Sequence, residues 1–476
     1  MKKGKILLGF GLLTLISSVF SCGGNNGGGG EIDFDPDGKP VFKNVNITFS
    51  NVITGTDNSF LTELVGKFNT QYKGQIKVTA NAVQPADLYD NLPTSTSYKR
   101  NPDVALIHAE RVLQFAGQQN SEGSSKYFRE LEETMKLAQI KLEAADFPEQ
   151  VWKNMRYDEH QYGIPFDLHM SGIYVNTTML KKLGLEMPKT REDLVNCAQK
   201  AVAAGHYGLP LTQGFPDTYA YINGYFNYGG KQILVEGDEG FDKNQKLTDG
   251  TVVPAQPGVY YKNATLNAVK SYGELIFKDK VCPPQLATDT NLNEFYKGNS
   301  LFCYDGIWVM NDVETRSKNA KFEYSVLPAS LMYNSKDNKE YTGDIYTNGH
   351  IFVMPKNNMG GEKKARQQAG MEFIKWMLEH SADWAKSGKI AAYAKARDTA
   401  EYKAIKHLDE FGNIENFRCI QANKYTYSAF SPSQQVNTFV LQSKEMPTDD
   451  QINEKIKKFY DEGIALVKQD ISGGAR

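Results

Sequence analysis

Strand-like and helix-like patterns of apolar residues alternate along the chain from residue 45 onward. The segment 45–49 is rich in β-branched residues and predicts a short strand. Apolar residues then recur with helical spacing between Leu61 and Tyr72, behind a capping Asn58 or Ser59. The folded part of the chain is therefore predicted to open with a strand followed by a helix.

Two further strand patterns follow this helix. Residues 76–79 alternate between apolar and polar side chains, whereas residues 104–107 form an unbroken apolar run. An unbroken run of this kind is typical of a strand that is buried on both faces. The succession of strand, helix and strand predicts right-handed βαβ units on a mostly parallel sheet, and hence an α/β fold.

The later half of the chain repeats these patterns without a short internal repeat. Thr190 and Asp193 have the spacing of a capping box, and the helix they open carries Cys197 on its apolar face. Cys197 is therefore predicted to be a core residue. Residues 351–354 predict a further strand, and residues 369–378 predict a helix behind it.

The N-terminus has the features of an export signal. Lys2, Lys3 and Lys5 precede the apolar run 6–20, which is too short to span a bilayer. The run ends in Val-Phe-Ser-Cys, and this segment resembles the lipobox of bacterial lipoproteins, in which the cysteine becomes the lipidated first residue of the mature chain. The alternative is an ordinary signal peptide followed by an incidental cysteine.

These features predict an organisation for the first 41 residues. Residues 1–21 are assigned to a lipoprotein signal peptide, Cys22 to the lipidation site, and residues 22–41 to a flexible Gly-rich tether. The protein is accordingly expected outside the cytoplasm, in the periplasm or at the cell surface. The lipid on Cys22 is expected to anchor it to the bacterial membrane.

Composition excludes several classes of function. The 476 residues include 54 Lys and Arg against 56 Asp and Glu, so no basic excess is available for binding nucleic acid. The cysteines that remain after Cys22 form no Cys-x-x-Cys pair, and whether any two form a disulfide stays open at this point. They are Cys197, Cys282, Cys303 and Cys419.

Local enzyme signatures are missing from the sequence. It contains no phosphate-binding loop, no dinucleotide fingerprint, no Gly-x-Ser-x-Gly and no His-Glu-x-x-His, and its seven histidines show no metal-ligand spacing. No cofactor and no metal ion are therefore predicted. Paired carboxylates of a glycoside hydrolase leave no local signature, so a hydrolase remains an alternative.

Five segments, taken together in their order and spacing, resemble a known family. They are 101–111, 162–190, 217–230, 295–308 and 348–376. Their sequences are similar to those of the family-1 extracellular solute-binding proteins, the maltose-binding-protein-like receptors of ABC importers. The resemblance extends over residues 45–400, although each segment alone is weakly specific.

The resemblance implies a two-lobed periplasmic-binding-protein fold, with a hinge and a ligand cleft between the lobes. The first lobe is expected to comprise residues 42–164 and 350–395, and the second residues 172–345 and 396–476. Segments 165–171 and 346–349 are expected to be the hinge. Closure of the cleft around a ligand is a recognised transition of such folds.

The resemblance also implies which residues contact the ligand. Trp308 follows a Gly-x-Trp pattern, at a position where relatives stack an aromatic ring on a sugar. The alternatives are a core tryptophan, an exposed ion pair at residues 110–111, and solvated loops at the other positions. The full set of expected contacts is Trp308, Glu110, Arg111, Asp217, Tyr219, Asp57, His169, Asp305, Asn348 and His350.

Carboxylates, amides and aromatic rings in one set favour a neutral polyol over a phosphate, because each sugar hydroxyl both donates and accepts hydrogen bonds. The sequence is thus interpreted as a monomeric, non-catalytic receptor that binds a sugar or oligosaccharide and delivers it to an ABC permease. The alternatives are an extracytoplasmic polysaccharide hydrolase, a receptor for a glycerol-phosphate type of ligand, and a receptor that signals without transport.

Overall fold

The structure is a computed structural model that describes residues 33–36, 40–55, 57–95, 101–230, 262–357, 364–420, 425, 427–428 and 431–473. The predicted signal peptide, Cys22 and most of the predicted tether lie outside these residues. Within the described ranges, no helix combines the length and the apolar composition needed to cross a bilayer.

Fifteen strands are assigned in the described part of the chain. In order they are β1 (Asp33–Phe34), β2 (Pro40–Val41), β3 (Val45–Asn51), β4 (Ile76–Ala82), β5 (Val104–His108), β6 (Arg156–Tyr157), β7 (His160–Gln161), β8 (Ile164–Pro165), β9 (Asp167–Asn176), β10 (Phe302–Gly306), β11 (Tyr324–Pro328), β12 (Ile345–Asn348), β13 (His350–Val353), β14 (Ile390–Ala391) and β15 (Phe417–Arg418).

Helices cover these strands. In order they are α1 (Asn58–Gln71), α2 (Pro85–Ser95), α3 (Ala109–Ala116), α4 (Leu131–Ala138), α5 (Glu149–Lys153), α6 (Thr177–Lys182), α7 (Arg191–Ala203), α8 (Phe215–Asn227), α9 (Lys262–Phe277), α10 (Thr290–Tyr296), α11 (Met310–Ala320), α12 (Lys364–Glu379), α13 (Ser381–Ala385), α14 (Ala394–Arg397), α15 (Ala400–Lys403), α16 (Val436–Leu441) and α17 (Asp449–Gly473).

The first large sheet has five strands in the order β4-β3-β5-β13-β8. Strand β3 pairs in parallel with β4 and β5, which confirms the predicted βαβ units. Strand β13 runs antiparallel to both β5 and β8, because it belongs to a segment that returns to this sheet late in the chain. Four of the five strands, β4, β3, β5 and β8, run in the same direction and β13 alone is reversed, so the prediction of a mostly parallel sheet is confirmed here.

The second large sheet is built around the ten-residue strand β9. Strands β10, β11, β12 and β14 all pair antiparallel to β9, while β15 pairs in parallel with β12. The predicted parallel character is therefore wrong for this sheet. All ten residues of β9 are buried, which fits a central strand covered on both faces.

Two apolar clusters form the core. The first surrounds the first sheet and extends onto the second, and the other packs against the second sheet. The first includes Phe49 of β3 and Phe373 of α12, whose rings meet edge to face at 5.2 Å between centroids. The second includes Tyr221 of α8 and Phe302 of β10. Trp308 is only partly buried and packs against both clusters, so it lies where the two halves of the molecule meet.

Most local predictions are confirmed. The predicted strands at 45–49, 76–79 and 104–107 correspond to β3, β4 and β5. The capping box exists as predicted: the Thr190 side chain accepts from the Asp193 backbone, and the Asp193 side chain accepts from Thr190. The helix predicted at 369–378 is longer, from Lys364 to Glu379.

The four cysteines of the described chain form no disulfide with one another. All four side chains are buried, and none pairs with another. Cys197 lies in the second apolar cluster, as predicted from its position on the helix face. The question of a disulfide among these four residues, which the sequence left open, is answered in favour of buried structural thiols.

Candidate ligand-binding cleft

A cavity of about 570 Å³ lies between the two sheets, within the size range of pockets that hold small organic ligands. Its walls come from the loop between β3 and α1, from α2, from the junction of β5 and α3, and from the neighbouring ends of β9, β12 and β13. The turn after β10, α8, Lys389 and Tyr427 complete it. Both halves of the molecule therefore contribute side chains to one space.

Eight of the ten expected ligand contacts line this cavity. They come from six separate stretches of the chain and are brought together only by the fold. They are Asp57, Glu110, Arg111, His169, Tyr219, Trp308, Asn348 and His350.

The other two expected contacts, Asp217 and Asp305, do not line the cavity. Asp217 is 1 % exposed and accepts a hydrogen bond of 2.7 Å from the Thr438 hydroxyl. Asp305 is 2 % exposed and accepts from the backbone N–H of Gly306 and from the Asn291 amide. Both carboxylates are engaged inside the second half of the molecule, away from the cavity in which the ligand contacts were expected.

One wall of the cavity is aromatic. Trp308 meets Tyr219 nearly edge to face, with 5.4 Å between ring centroids, and Tyr219 in turn packs on Tyr346 at 4.7 Å. The edge of His169 also approaches Trp308, at 6.0 Å between centroids. Edge-on neighbours fix the indole while leaving a ring surface available for an apolar partner such as the C–H face of a sugar.

Two aromatic rings lie against Arg111, which is on the first turn of α3. Its guanidinium carbon lies 4.3 Å from the ring centre of Tyr89 and 3.8 Å from that of Tyr427. The residue is only 5 % exposed, and its buried Nε has no hydrogen-bond partner among the described residues. The two rings hold the guanidinium in place. Its Nε–H, which lacks an acceptor, can donate a hydrogen bond to a ligand.

Glu110 and His108 lie beside this arginine. Glu110 accepts a hydrogen bond of 2.7 Å from the amide of Asn348, which fixes both side chains at the cavity wall. The Nδ1 atom of His108 lies 2.7 Å from the Tyr89 hydroxyl, and that hydroxyl also accepts from the backbone N–H of His108. The end of β5 and the start of α3 are thus held to α2 and β12.

A buried ion pair closes another side of the cavity. The ammonium group of Lys389 lies 2.5 Å from an oxygen of Asp57, and Lys389 is 2 % exposed. Asp57 precedes α1 in the first half of the chain, whereas Lys389 directly precedes β14. The pair therefore ties two distant segments together at the site.

A second polar cluster centres on Asp167, which begins β9 and is fully buried. Its carboxylate accepts from the backbone N–H of His350 at 3.0 Å and from the indole N–H of Trp384 at 2.7 Å, and it contacts the His350 ring. Burial opposes ionisation of Asp167, but His350 and His169 outweigh it and hold its pKa well below the usual range. The carboxylate is therefore ionised.

Two imidazoles of the cavity are neutral at neutral pH. Burial lowers the pKa of His108 and of His169 below the ordinary histidine value, and neighbouring acidic groups offset this only in part. A neutral imidazole both donates and accepts one hydrogen bond. These two rings can therefore bind hydroxyl groups in either direction.

Residues 63–411 match the family model described as bacterial extracellular solute-binding protein. This stretch is well over half of the chain. The chain belongs to the bacterial extracellular solute-binding proteins. The resemblance found in the five sequence segments is thereby confirmed at the level of the family.

Individual relatives of this solute-binding protein are more distant. The multiple sugar-binding protein of Streptococcus mutans is 26 % identical over 147 residues, which span only 30 % of this chain and 30 % of that protein. The GacH receptor of Streptomyces glaucescens, solved free and with acarbose, superposes with a TM-score of 0.67 at 17 % identity, over 89 % of this chain and 99 % of the receptor.

A third similar structure is UgpB from Mycobacterium tuberculosis, solved with glycerophosphocholine. It superposes with a TM-score of 0.65 at 14 % identity, over 90 % of this chain and 99 % of UgpB. At these identities the two structures show the fold of the solute-binding protein, which is the expected two-lobed α/β fold with a cleft between the lobes.

Sequence reasoning missed several residues of the cleft. His108 could have been found, since it is the last residue of the buried strand that leads to Glu110. Tyr89, Lys389 and Tyr427 lie in no recognised segment, and nothing local to them indicates that they meet Asp57 and Arg111. Their part in the cleft follows from the tertiary fold alone.

Proposed function

We propose that this solute-binding protein binds a sugar or an oligosaccharide in its cleft and delivers it to an ABC import permease, without catalysing a reaction. The observation that carries the proposal is that Trp308 lines one cavity together with hydrogen-bonding groups such as Arg111, Glu110 and Asn348. A pyranose offers an apolar C–H face to an aromatic ring and hydroxyls around its rim, so it matches this arrangement. The sugar-binding relatives support the same ligand class.

The test is a thermal-shift screen of the mature protein against mono-, di- and oligosaccharides. A ligand present at 100 times its dissociation constant stabilises the native state by roughly 2.7 kcal/mol, which is a shift of several degrees. We expect at least one sugar to raise the melting temperature, with direct binding then measured by calorimetry. If no sugar in a broad panel shifts the melting temperature, the proposal is wrong.

A glycerol-phosphate type of ligand is the second candidate. It is favoured by Arg111, which lines the cavity and forms no ion pair with a carboxylate among the described residues, and by the UgpB likeness. Glycerol 3-phosphate and glycerophosphocholine therefore belong in the same screen. Stabilisation by these compounds and by no neutral sugar would replace the first candidate with the second.

Product analysis distinguishes a non-catalytic receptor from a polysaccharide hydrolase. A non-catalytic receptor leaves oligosaccharides intact, so chromatography after long incubation is expected to show the starting material alone. Of the three carboxylates that line this cavity, Asp57 is paired with Lys389 and Glu110 accepts from Asn348, whereas Asp90 is exposed to solvent. Shorter oligosaccharides formed in proportion to protein concentration would favour an enzyme.

We also propose a lipid anchor and a hinge. The anchor is Cys22, behind a signal peptide of residues 1–21 and ahead of the Gly-rich tether 22–41. A lipoprotein carries several acyl chains, which hold a protein to a membrane more firmly than one chain. Replacing Cys22→Ala should release the processed protein from the membrane fraction and abolish labelling with a radioactive fatty acid. Continued labelling of the variant would refute the anchor.

The proposed lobes are residues 42–164 with 350–395, and residues 172–345 with 396–476, joined through hinge segments 165–171 and 346–349. Gly349 supports this hinge, because a Cβ atom there would lie 2.3 Å from the carbonyl oxygen of Asp167. The two crossing segments thus touch backbone to backbone. Small-angle scattering should show a smaller radius of gyration at saturating ligand, and an unchanged profile would contradict closure.

A further inference from the structure

Three metal-ligating side chains meet at the base of the cleft. Asp167 and His169 belong to the first three residues of β9, and His350 begins β13. One ligand atom from each residue lies within 4.8 Å of the other two. Since β9 and β13 are far apart in sequence, no local spacing reveals this cluster.

The carboxylate of Asp167 is held in a fixed orientation. Its oxygens accept from the backbone N–H of His350 and from the indole N–H of Trp384, at 3.0 and 2.7 Å. Ligating carboxylates in metalloproteins are usually oriented by such outer hydrogen bonds, which leave the remaining lone pairs for the ion. Asp167 is also fully buried, so it is protected from competing solvent.

His169 provides the observation that hydrogen bonding within the protein does not explain. The residue is 6 % exposed, and its buried Nδ1 has no hydrogen-bond partner among the described residues. That atom lies 3.6 Å from the nearer oxygen of Asp167, which is too far for a hydrogen bond. A buried nitrogen without a partner is costly, and a cation shared with Asp167 would supply the partner.

The spacing of the donor atoms suits one ion. The Oδ1 atom of Asp167 lies 3.0 Å from the Nδ1 of His350 and 3.6 Å from the Nδ1 of His169. Two ligands of a tetrahedral Zn²⁺, each about 2.0–2.2 Å from the ion, are separated by roughly 3.3 Å. His350 would use Nδ1 as a ligand when its proton is on Nε2, so its present contact with Asp167 gives way to the ion.

We propose that Asp167, His169 and His350 bind a divalent first-row transition-metal ion at the base of the cleft, with Zn²⁺ as the reference ion. Two imidazoles and one carboxylate form a donor set that such ions prefer, and that Mg²⁺ and Ca²⁺ bind less well. Both histidines line the cavity, so the ion has a route of entry. Its remaining coordination positions face the space in which a water molecule or a ligand hydroxyl can lie.

The test uses the mature protein without a polyhistidine tag, stripped with a chelator and then dialysed. Titration with ZnCl₂ against a chromophoric competitor should show one bound ion per chain, and Zn²⁺ should raise the melting temperature. The His169→Ala variant should lose at least tenfold in affinity for Zn²⁺. The matched control is His206→Ala, because His206 is exposed and outside the cluster, and its affinity should equal that of the unchanged protein.

A further measurement, on bound Co²⁺, distinguishes loss of a ligand from poor folding. The visible spectrum of bound Co²⁺ reports directly on the ligands, and it should change in His169→Gln, which retains much of the side-chain volume if His169→Ala is poorly folded. This experiment needs no sugar, so its result is independent of the proposed transport ligand. Failure of the unchanged protein to bind one equivalent of Zn²⁺, or equal binding by His169→Ala and His206→Ala, would overturn the proposal.

Discussion

Gly306 leaves room for the indole of Trp308, which lies directly over its backbone. A Cβ atom at Gly306 would be 2.2 Å from two carbons of the indole ring, a distance that no packing adjustment tolerates without moving the ring. The glycine of the Gly-x-Trp pattern therefore positions the tryptophan. Its role is steric, because its backbone does not adopt the left-handed conformation that favours glycine.

Replacing Gly306→Ala is therefore expected to displace Trp308 and weaken sugar binding, although no side chain that contacts the ligand is removed. The expected loss of affinity is about tenfold or more, which corresponds to about 1.4 kcal/mol. Calorimetry with the sugar identified by the thermal-shift screen measures it. Gly66→Ala is the control, because a Cβ at this α1 position meets nothing within 4 Å. Equal affinities of the two variants would contradict a positioning role.

Truncation of Trp308→Ala tests the aromatic wall directly. Aromatic residues at the centre of binding sites typically cost about 2–4 kcal/mol when truncated, so the affinity should fall roughly 30- to 1000-fold. The melting temperature of the ligand-free protein should change little, since Trp308 is only partly buried. Trp152→Ala is the matched control: Trp152 is also partly buried and stacks on Phe147 at 4.8 Å, but it lies outside the cavity.

The opposite pattern would show that Trp308 is a structural residue. Loss of a core tryptophan lowers the free energy of unfolding by about 3–5 kcal/mol. A large fall in melting temperature together with unchanged affinity would therefore remove Trp308 from the site.

Arg111→Lys tests whether the planar guanidinium matters beyond its charge. Lysine keeps the positive charge but cannot lie flat between the rings of Tyr89 and Tyr427 or donate from a rigid fork. We expect about a tenfold loss of sugar affinity, measured by calorimetry. Arg316→Lys is the control, since Arg316 also lies over a ring, that of Tyr296, but outside the cavity. Wild-type affinity in Arg111→Lys would show that only the positive charge of Arg111 contributes to binding.

Lys389→Met is expected to lower the free energy of unfolding by about 3 kcal/mol, measured by urea denaturation. The reason is that Asp57, whose side chain is 16 % exposed, would be left without its partner. Combining it with Asp57→Asn should recover part of the loss, because the uncompensated carboxylate is then removed. Lys386→Met should cost less than about 1 kcal/mol, since its pair with Asp383 lies at the surface. Equal losses in the two lysine variants would contradict the importance of burial.

We expect the buried carboxyl group of Asp217 to make the free energy of unfolding depend on pH. Burial raises its pKa to about 7, whereas an unfolded aspartate titrates near pH 4. Between about pH 4 and pH 7 the folded protein retains a proton that the unfolded chain has released, so this residue lowers stability as the pH rises. Asp217→Asn, which can still accept from Thr438, should therefore gain stability relative to the unchanged protein as the pH increases.

The measurement is a series of urea titrations from pH 4.5 to pH 8. The stability difference between Asp217→Asn and the unchanged protein should shift in favour of the variant by at least about 1 kcal/mol across this range. Asp337→Asn, at an exposed aspartate, should show no such trend. A constant difference for Asp217→Asn would show that the buried carboxyl does not titrate in this window.

Local patterns were sufficient to predict much of the fold. The apolar run of β5 and the capping box of α7 each depend on residues close together in sequence, and both are present. The antiparallel strand pairs, which the sequence did not predict, have a physical cause. Strands β12 and β13 belong to a segment that crosses between the two halves of the molecule. An apolar run predicts that a strand is buried, but not whether it runs parallel or antiparallel to its neighbours.

The sequence motifs predicted which parts of the chain lie near the cleft. They did not predict which side chains of those parts point into it. Trp308 and Tyr219 line the cavity, whereas Asp305 and Asp217, from the same two motifs, use their carboxylates inside the second half. A motif locates a residue on an element, but the packing of that element decides where its side chain goes. The cluster of Asp167, His169 and His350 was not predicted either, because only the tertiary fold brings β9 and β13 together.

The bond between Lys389 and Asp57 joins residues 332 positions apart in the chain. Contacts of such long sequence separation form late in folding, because a large loop must close before they contribute any stability. A nascent or truncated chain that ends before Lys389 can fold much of its first sheet's parallel core, yet it lacks a wall of the cleft. Ligand capture is therefore a property of the finished molecule only, and an incomplete chain cannot sequester the solute.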